Sequence, residues 1–235
     1  MTLRRICLGD DIMCNERQQQ SYPVLWSFRR CPYAMRARLA INASQCRVHL
    51  REIQLRYKPT ESVSTSLKST VPVLALLDGH VIDESRDIMI WALQQSDPQG
   101  WWSLWQADPA FCDAFLDRLD GPSKQRLDRC KYASRFEPSI GQQSRQDACV
   151  FLAEINHCLK SGAGYLFGAY FGVLDAATLP FLRQFPGADE IWFDTQPWPH
   201  LRHWLDLFLN PAEFGVFMQK YQPWQAGGRV ILFPA

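Results

Sequence analysis

The order of local signals between residues 22 and 95 leaves the fold little freedom. Tyr22–Phe28 (YPVLWSF) is aromatic and β-branched, the composition of a strand. From Pro32 the chain turns to good helix formers, with Ala34, Ala37, Leu39, Ala40 and Ile41 set among Arg36 and Arg38. Val48–Leu55 (VHLREIQL) alternates apolar and polar residues, as a half-buried strand does, until Lys58-Pro59 breaks it. Thr60–Lys68 is polar and weakly helical. Val71–Leu77 (VPVLALL) is a continuous apolar run, Asp78-Gly79 signals a hairpin, and His80–Ile82 returns from it. Asp83–Gln95 is a helix with an acidic start. A strand–helix–strand unit implies a parallel pair, and the hairpin adds antiparallel strands. The simplest assembly is an α+β domain, a mixed four-stranded sheet with flanking helices.

Past this unit the pattern changes. Ser96–Asp108 (SDPQGWWSLWQAD) carries Pro, Gly and Asp and reads as a linker that Trp101, Trp102 and Trp105 can pack down. Everything after it has helical periodicity. Phe111, Phe115, Leu116 and Leu119 share one face, as do Phe151, Ile155, Cys158 and Leu159. The expected organisation is an extension over 1–21, the sheet domain over 22–96, the linker over 97–108, an all-helical domain over 109–225 and a tail over 226–235. The tail segment GGRVILFPA has no place in this scheme.

Bulk properties narrow the function. A formal net charge of +1 gives no reason to expect a polyanionic partner such as nucleic acid. No apolar run approaches the roughly 20 residues that span a bilayer, so no membrane association is expected. The first 21 residues mix both signs of charge and do not resemble a secretory signal, which makes a cytoplasmic location the expectation. The eight cysteines show no paired C-x-x-C spacing and are expected to be reduced. His200 and His203 lie three apart without an acidic or Cys ligand close by, so no metal is expected.

Chemistry concentrates at WSFRRCPYAMRARLA, residues 26–40. Cys31 falls near the helix N-cap, with Pro32 at the first helical position that proline prefers. A side chain there faces unpaired backbone N–H groups and the positive end of the helix dipole. Arg29, Arg30 and Arg36 add positive charge. Cysteines in such surroundings fall from about 8.5 to roughly 3.5–7.5, which converts a few per cent of thiolate at pH 7 into a majority. The bland alternative is a structural cysteine at a helix start. Ala34 stands where a dithiol centre has its second cysteine, so Cys31 is expected to work alone. Val71-Pro72 leads into a strand and is either a cis proline or an edge or bulge proline. Glu84-Ser85 opens a helix and is either a plain cap or an anion site with a carboxylate beside it.

Together, the Cys-Pro-Tyr helix start, the Val-Pro before a strand and the Glu-Ser before a helix resemble the glutathione transferase superfamily. The closest similarity is to omega-class and omega-like bacterial members, which use a catalytic cysteine. The resemblance covers about residues 22–225 and implies a thioredoxin-like first domain followed by an all-α domain. It implies that Cys31 forms a mixed disulfide with glutathione and that Tyr33 lies beside it. Lys58 would meet the glycine-end carboxylate, Val71 the cysteinyl backbone, and Pro72 would be cis. Glu84 and Ser85 would hold the γ-glutamyl end. In the second half Leu166-Phe167-Gly168 and Asp175 match, but Gly172 replaces the usual Ser or Thr of a capping box. A pocket for the second substrate would draw on Phe28, Arg30, Arg129, Tyr132 and Arg135.

The function this implies is a glutathione-dependent thiol transferase or reductase, of the dehydroascorbate reductase kind, with weak conjugating activity. Glutathione would be the co-substrate, a small disulfide or electrophile the partner, and the chain a homodimer. The alternative is an interaction or regulatory protein that keeps the fold without turnover.

Overall fold

The computed structural model describes residues 21–66, 68–131, 138–209, 215 and 218–235. Its first part follows the expected order: β1 (Val24–Ser27), α1 (Pro32–Ser44), β2 (Val48–Glu52), α2 (Thr60–Thr65), β3 (Val73–Ala75), β4 (Val81–Ile82) and α3 (Ser85–Gln95). The strands β1 and β2 pair in parallel, while β1–β3 and β3–β4 are antiparallel, as βαβ followed by a hairpin requires.

The sheet has five strands, in the order β4-β3-β1-β2-β5. The addition is β5 (Leu232–Phe233) in the tail, which pairs antiparallel with β2 at Val48–Phe233 and His49–Leu232. Strand β2 would otherwise be an edge with unpaired backbone groups, and the tail covers it.

The stretch read as a linker holds a helix, α4 (Trp101–Ala107), with Trp101 and Trp105 buried. The helical part continues with α5 (Pro109–Arg118), α6 (Lys124–Lys131), α7 (Pro138–Ser161), α8 (Val173–Leu182), α9 (Gln184–Ala188), α10 (Glu190–Asp194) and α11 (Pro199–Leu209). Between α5 and α6 the Leu119–Ser123 turn is π-helical. Pro122 there lacks an N–H, so regular α hydrogen bonding is interrupted at this point. No helix among the described residues is long and apolar enough to cross a membrane.

Alternation along β1 divides the packing. Leu25 joins the large core, which runs without a break from the sheet into the helical domain. Helix α1 lies between α3 on one side and α8 on the other. It is therefore buried on most sides, and even Arg36 and Arg38 have no exposure. Val24 and Trp26 face the other way, into a smaller cluster with Ile53, Val71 and Val73, against which Phe28, Cys31 and Trp224 pack.

Helix α8 starts at Gly172, whose N–H donates to Asp175 Oδ2 at 3.1 Å. The half of the capping box that glycine permits is therefore formed. A Cβ at position 172 would stand 3.1 Å from Leu104 Cδ1, a crowding that glycine avoids. Asp175 Oδ1 also accepts from the Leu166 N–H at 3.1 Å and the Trp204 Nε1–H at 2.9 Å.

Candidate active site

Cys31 is the N-cap of α1, in extended conformation (φ −76°, ψ 123°), with Pro32 following at the first helical position. Its N–H donates to the Phe28 carbonyl at 2.9 Å, which closes the turn out of β1. Its thiol donates to the Val71 carbonyl at 3.5 Å. The Val71-Pro72 peptide is cis, so the cis alternative holds.

The thiol's ionisation differs from expectation. Burial pushes Cys31 up, outweighing the Ala34 and Tyr33 N–H groups and the charges of Lys124 and Arg38, all of which pull it down. The helix N-terminus acts in the expected direction. The nearby arginines do not supply the rest, because each is directed elsewhere. The Arg29 guanidinium donates to the Met218 carbonyl at 3.3 Å. Arg30 is exposed and stacks 5.5 Å from the Phe28 ring centre. Arg36 is ion-paired with Asp120 at 2.5 Å. Cys31 packs against the apolar cluster of Val24, Trp26, Ile53, Val71 and Val73, and an anion there loses solvation that those cations do not replace.

A chain of contacts joins the remaining expected residues. Lys58 Nζ donates to the Ser69 carbonyl at 2.5 Å, two residues before Val71. On the other side, Arg36 Nη1 lies 3.5 Å from Ser85 Oγ, at the start of α3. Ser85 is buried, and Glu84 beside it is the helix N-cap. Arg36, on the helix that Cys31 caps, therefore reaches the start of α3, while Lys58 reaches the loop that leads to Val71. Glu84 is exposed and already paired with Lys68 at 2.6 Å. Lys68 also bonds Asp83 at 3.2 Å, and these partners raise its pKa.

Tyr33 turns toward the helical domain. Its ring packs edge-on to Phe181, 5.0 Å between centres, and the Lys124 ammonium lies 5.8 Å from its centre. Burial, followed by the Asp120 charge, pushes its hydroxyl up to about 12, so it stays protonated. Of the expected second-substrate residues, Phe28 and Arg30 are together, while Arg129 is exposed on α6. Tyr132 and Arg135 lie outside the described residues.

Three residues near the site are not legible in the sequence. Lys124 is paired with Asp128 one helical turn away, which in a sequence looks like a surface ion pair. Glu52 is a buried carboxylate on β2. It accepts from the Arg29 N–H at 2.7 Å and pairs with Arg38, whose Nε donates to Ser27 Oγ at 2.8 Å. It thereby fixes the turn that carries Cys31. Trp224 comes from the segment between α11 and β5; its N–H donates to the Glu52 carbonyl at 2.8 Å. Its ring meets Trp26 edge-on, 5.0 Å between centres, with the Arg51 guanidinium 4.6 Å from the Trp224 ring centre and 4.9 Å from that of Trp26. No cluster of three or more metal-ligating side chains occurs among the described residues.

Residues 25–100 match the family model described as the glutathione S-transferase N-terminal domain. No curated protein matches the chain. The fold is similar to that of a Tau class glutathione S-transferase from mango, Mangifera indica, with a TM-score of 0.69, 22% identity, and coverage of 86% of this chain and 94% of that one. It is similar to poplar glutathione transferase F1 (TM-score 0.71, 13% identity, 85% and 97% covered). It is also similar to a glutathione transferase family member from Pseudomonas fluorescens with two glutathione bound (TM-score 0.68, 14% identity, 87% and 97% covered). The architecture is that of glutathione transferases: a thioredoxin-like domain with a mixed sheet, then a helical domain. The family match covers the first domain, and the likeness to these structures shows the fold.

Proposed function

We propose that the chain is a glutathione-dependent thiol transferase or reductase of the cysteine type, with Cys31 as its nucleophile. The observation that carries this reading is the position of the Cys31 thiol at the start of α1, 3.5 Å from the carbonyl of a residue in a cis X-Pro bond. Glutathione has two carboxylates and one ammonium group. Lys58 would take the glycine-end carboxylate. Ser85 and the α3 N–H groups would take the γ-glutamyl carboxylate, and Glu84 its ammonium. The Val71 backbone would pair with the cysteinyl residue. The residue types present supply a partner for each charged end of this molecule. Pairing of Glu84 with Lys68 adds one step, because the ammonium must displace Lys68 from that carboxylate.

The exchange proceeds in two displacements. The Cys31 thiolate attacks the glutathionyl sulfur of a mixed disulfide, forms Cys31–S–S–glutathione, and releases the other thiol as an anion that takes a proton. A second glutathione, as thiolate, attacks the glutathionyl sulfur. Glutathione disulfide leaves and the Cys31 thiolate returns. Ala34 provides no thiol to interrupt this sequence. Because burial raises the thiol, only the ionised minority reacts at neutral pH.

That same burial favours a second reading, in which the fold binds glutathione or a protein partner without turnover. Intact mass after incubation with glutathione disulfide separates the two. The wild type should gain one glutathionyl group, and Cys31→Ala none. A Cys31→Ser protein with undiminished disulfide exchange would eliminate the first reading. A homodimer is part of the proposal, and sedimentation of the full chain tests it.

A further inference from the structure

Glu84 holds an ammonium group of the protein's own. Lys68, in the turn between α2 and the cis proline, bonds Glu84 Oε1 at 2.6 Å and Asp83 Oδ1 at 3.2 Å. The backbone holds it there. The Lys68 N–H donates to Ser66 Oγ at 3.3 Å, and that buried hydroxyl donates to Asp83 Oδ2 at 3.0 Å. The Ser69 N–H closes the turn on the Ser66 carbonyl at 3.1 Å, with a left-handed φ of 49° at Ser69. The Ser69 carbonyl in turn takes the Lys58 ammonium at 2.5 Å. One short turn therefore engages both Lys58 and Glu84, the two side chains assigned to opposite ends of glutathione.

The group on Lys68 and the amine of a γ-glutamyl residue are chemically alike, each a primary ammonium with three donors. Exchanging one for the other leaves Glu84 with the same kind of charge-assisted bond. Arg86, the second residue of α3, does not enter this exchange, because its guanidinium bonds Asp113 at 2.5 Å and Asp117 at 2.7 Å. Side-chain exposures of 51% for Lys68 and 60% for Glu84 keep both groups in contact with water. The competition is therefore a matter of a few-fold in affinity, not of orders of magnitude.

We propose that Lys68 is a specificity-determining residue: it competes with the ligand's ammonium for Glu84, so that tripeptides of the glutathione type lacking the free amine are accepted nearly as well as glutathione. This rests on the glutathione reading of the site. A ligand with an amine displaces Lys68 and gains one ammonium–carboxylate contact for one lost. A ligand without an amine leaves Lys68 on Glu84, and neither charge goes unpaired. Discrimination is the difference between these two affinities, and Lys68 makes that difference small.

Calorimetric binding to the full chain, kept reduced, tests this with two probes. One is glutathione; the other is glutaryl-cysteinylglycine, which is glutathione with its amine replaced by hydrogen. The wild type should bind the two within about threefold of each other. Lys68→Met leaves Glu84 to the ligand, and the preference for glutathione should rise about fivefold. Lys68→Arg, which keeps the cation, should restore the wild-type preference. Adding Glu84→Gln to Lys68→Met should remove the gained preference, which separates competition for Glu84 from a general change in the charge of the site. An unchanged preference in Lys68→Met, or a gain that survives Glu84→Gln, would overturn the proposal. So would a wild-type preference for glutathione above about tenfold. If glutathione binds to none of these proteins, the glutathione reading falls and takes the proposal with it. If glutathione binds but the preference does not respond to Lys68, the proposal alone falls.

Discussion

The ion pair between Arg36 and Asp120 joins the candidate site to the helical domain, and breaking it has a cost that can be worked through. Arg36 has no exposed side-chain surface, while Asp120, on the π-helical turn, keeps 30%. The guanidinium donates to both Asp120 oxygens, at 2.8 and 2.5 Å, and to the Ala177 carbonyl at 3.2 Å, and it lies 4.7 Å from the Phe181 ring centre. Removing one partner of a buried pair costs about 3–5 kcal/mol, because a charge is left without compensation. Water reaches Asp120, so Asp120→Leu falls somewhat below that range, about 2–3 kcal/mol. Arg36→Met should cost about as much, since it leaves Ala177 unpaired as well. The double variant replaces both charges with apolar surface and should lose at least about 1.5 kcal/mol less than the sum of the singles. Urea unfolding at pH 7, followed by tryptophan fluorescence and circular dichroism, reads all three. Additivity within about 0.5 kcal/mol would refute the coupling. So would an Asp120→Leu cost below about 1 kcal/mol, which would mean that solvent and not Asp120 carries the Arg36 charge.

Alkylation of Cys31 should accelerate about tenfold per pH unit through neutrality and keep rising to at least pH 9, because its thiol is raised; a plateau below pH 7 would show a thiolate site after all. Lys58→Met should raise the KM for glutathione about tenfold or more, through loss of a charge-assisted bond; an unchanged KM would remove Lys58 from the site. Asp175→Ala strands three N–H donors and should cost roughly 3 kcal/mol or more, whereas Asp175→Asn, keeping the Oδ1 acceptor, should lose one bond and about 1–2 kcal/mol by thermal unfolding. Burial raises the Asp175 carboxyl to about 6 from an ordinary 3.8, so the folded state holds that proton where the unfolded state has released it. Wild-type stability relative to Asp175→Asn should therefore fall as pH rises from about 4 to 6, and an opposite slope would overturn the assignment.

Much of the frame was legible because it depends on local signals. The period-2 pattern of β2, the proline at the start of α1 and the Asp78-Gly79 turn each act over a few residues, and the elements form where these place them. Cys31, Val71, Pro72 and Ser85 were legible for the same reason, as each marks an element end. What failed was anything decided by distant partners. Arg29, Arg30 and Arg36 look like a field acting on the thiol, but Asp120 takes Arg36, the Met218 carbonyl takes Arg29 and Arg30 stacks on Phe28. Nothing local in a sequence shows that a cation is already spent. The linker tryptophans form a helix because burial of Trp101 and Trp105 outweighs the punctuation around them. The tail has too few residues for a periodic signal, and it becomes a strand only because β2 offers an edge.

That strand sets an order of events in folding. Val48 and Phe233 are paired, so the first domain's sheet is closed by residues that follow the entire helical domain in the chain. While the chain is being synthesised, β1 to β4 can assemble, but β2 keeps a bare edge until Leu232 and Phe233 emerge. The Trp26 side of the sheet likewise waits for Trp224. Closing a loop of such length is slow, and an open edge in the interval is a template for pairing with other chains. A nascent chain stalled after α11 should therefore be more prone to self-association than the finished protein.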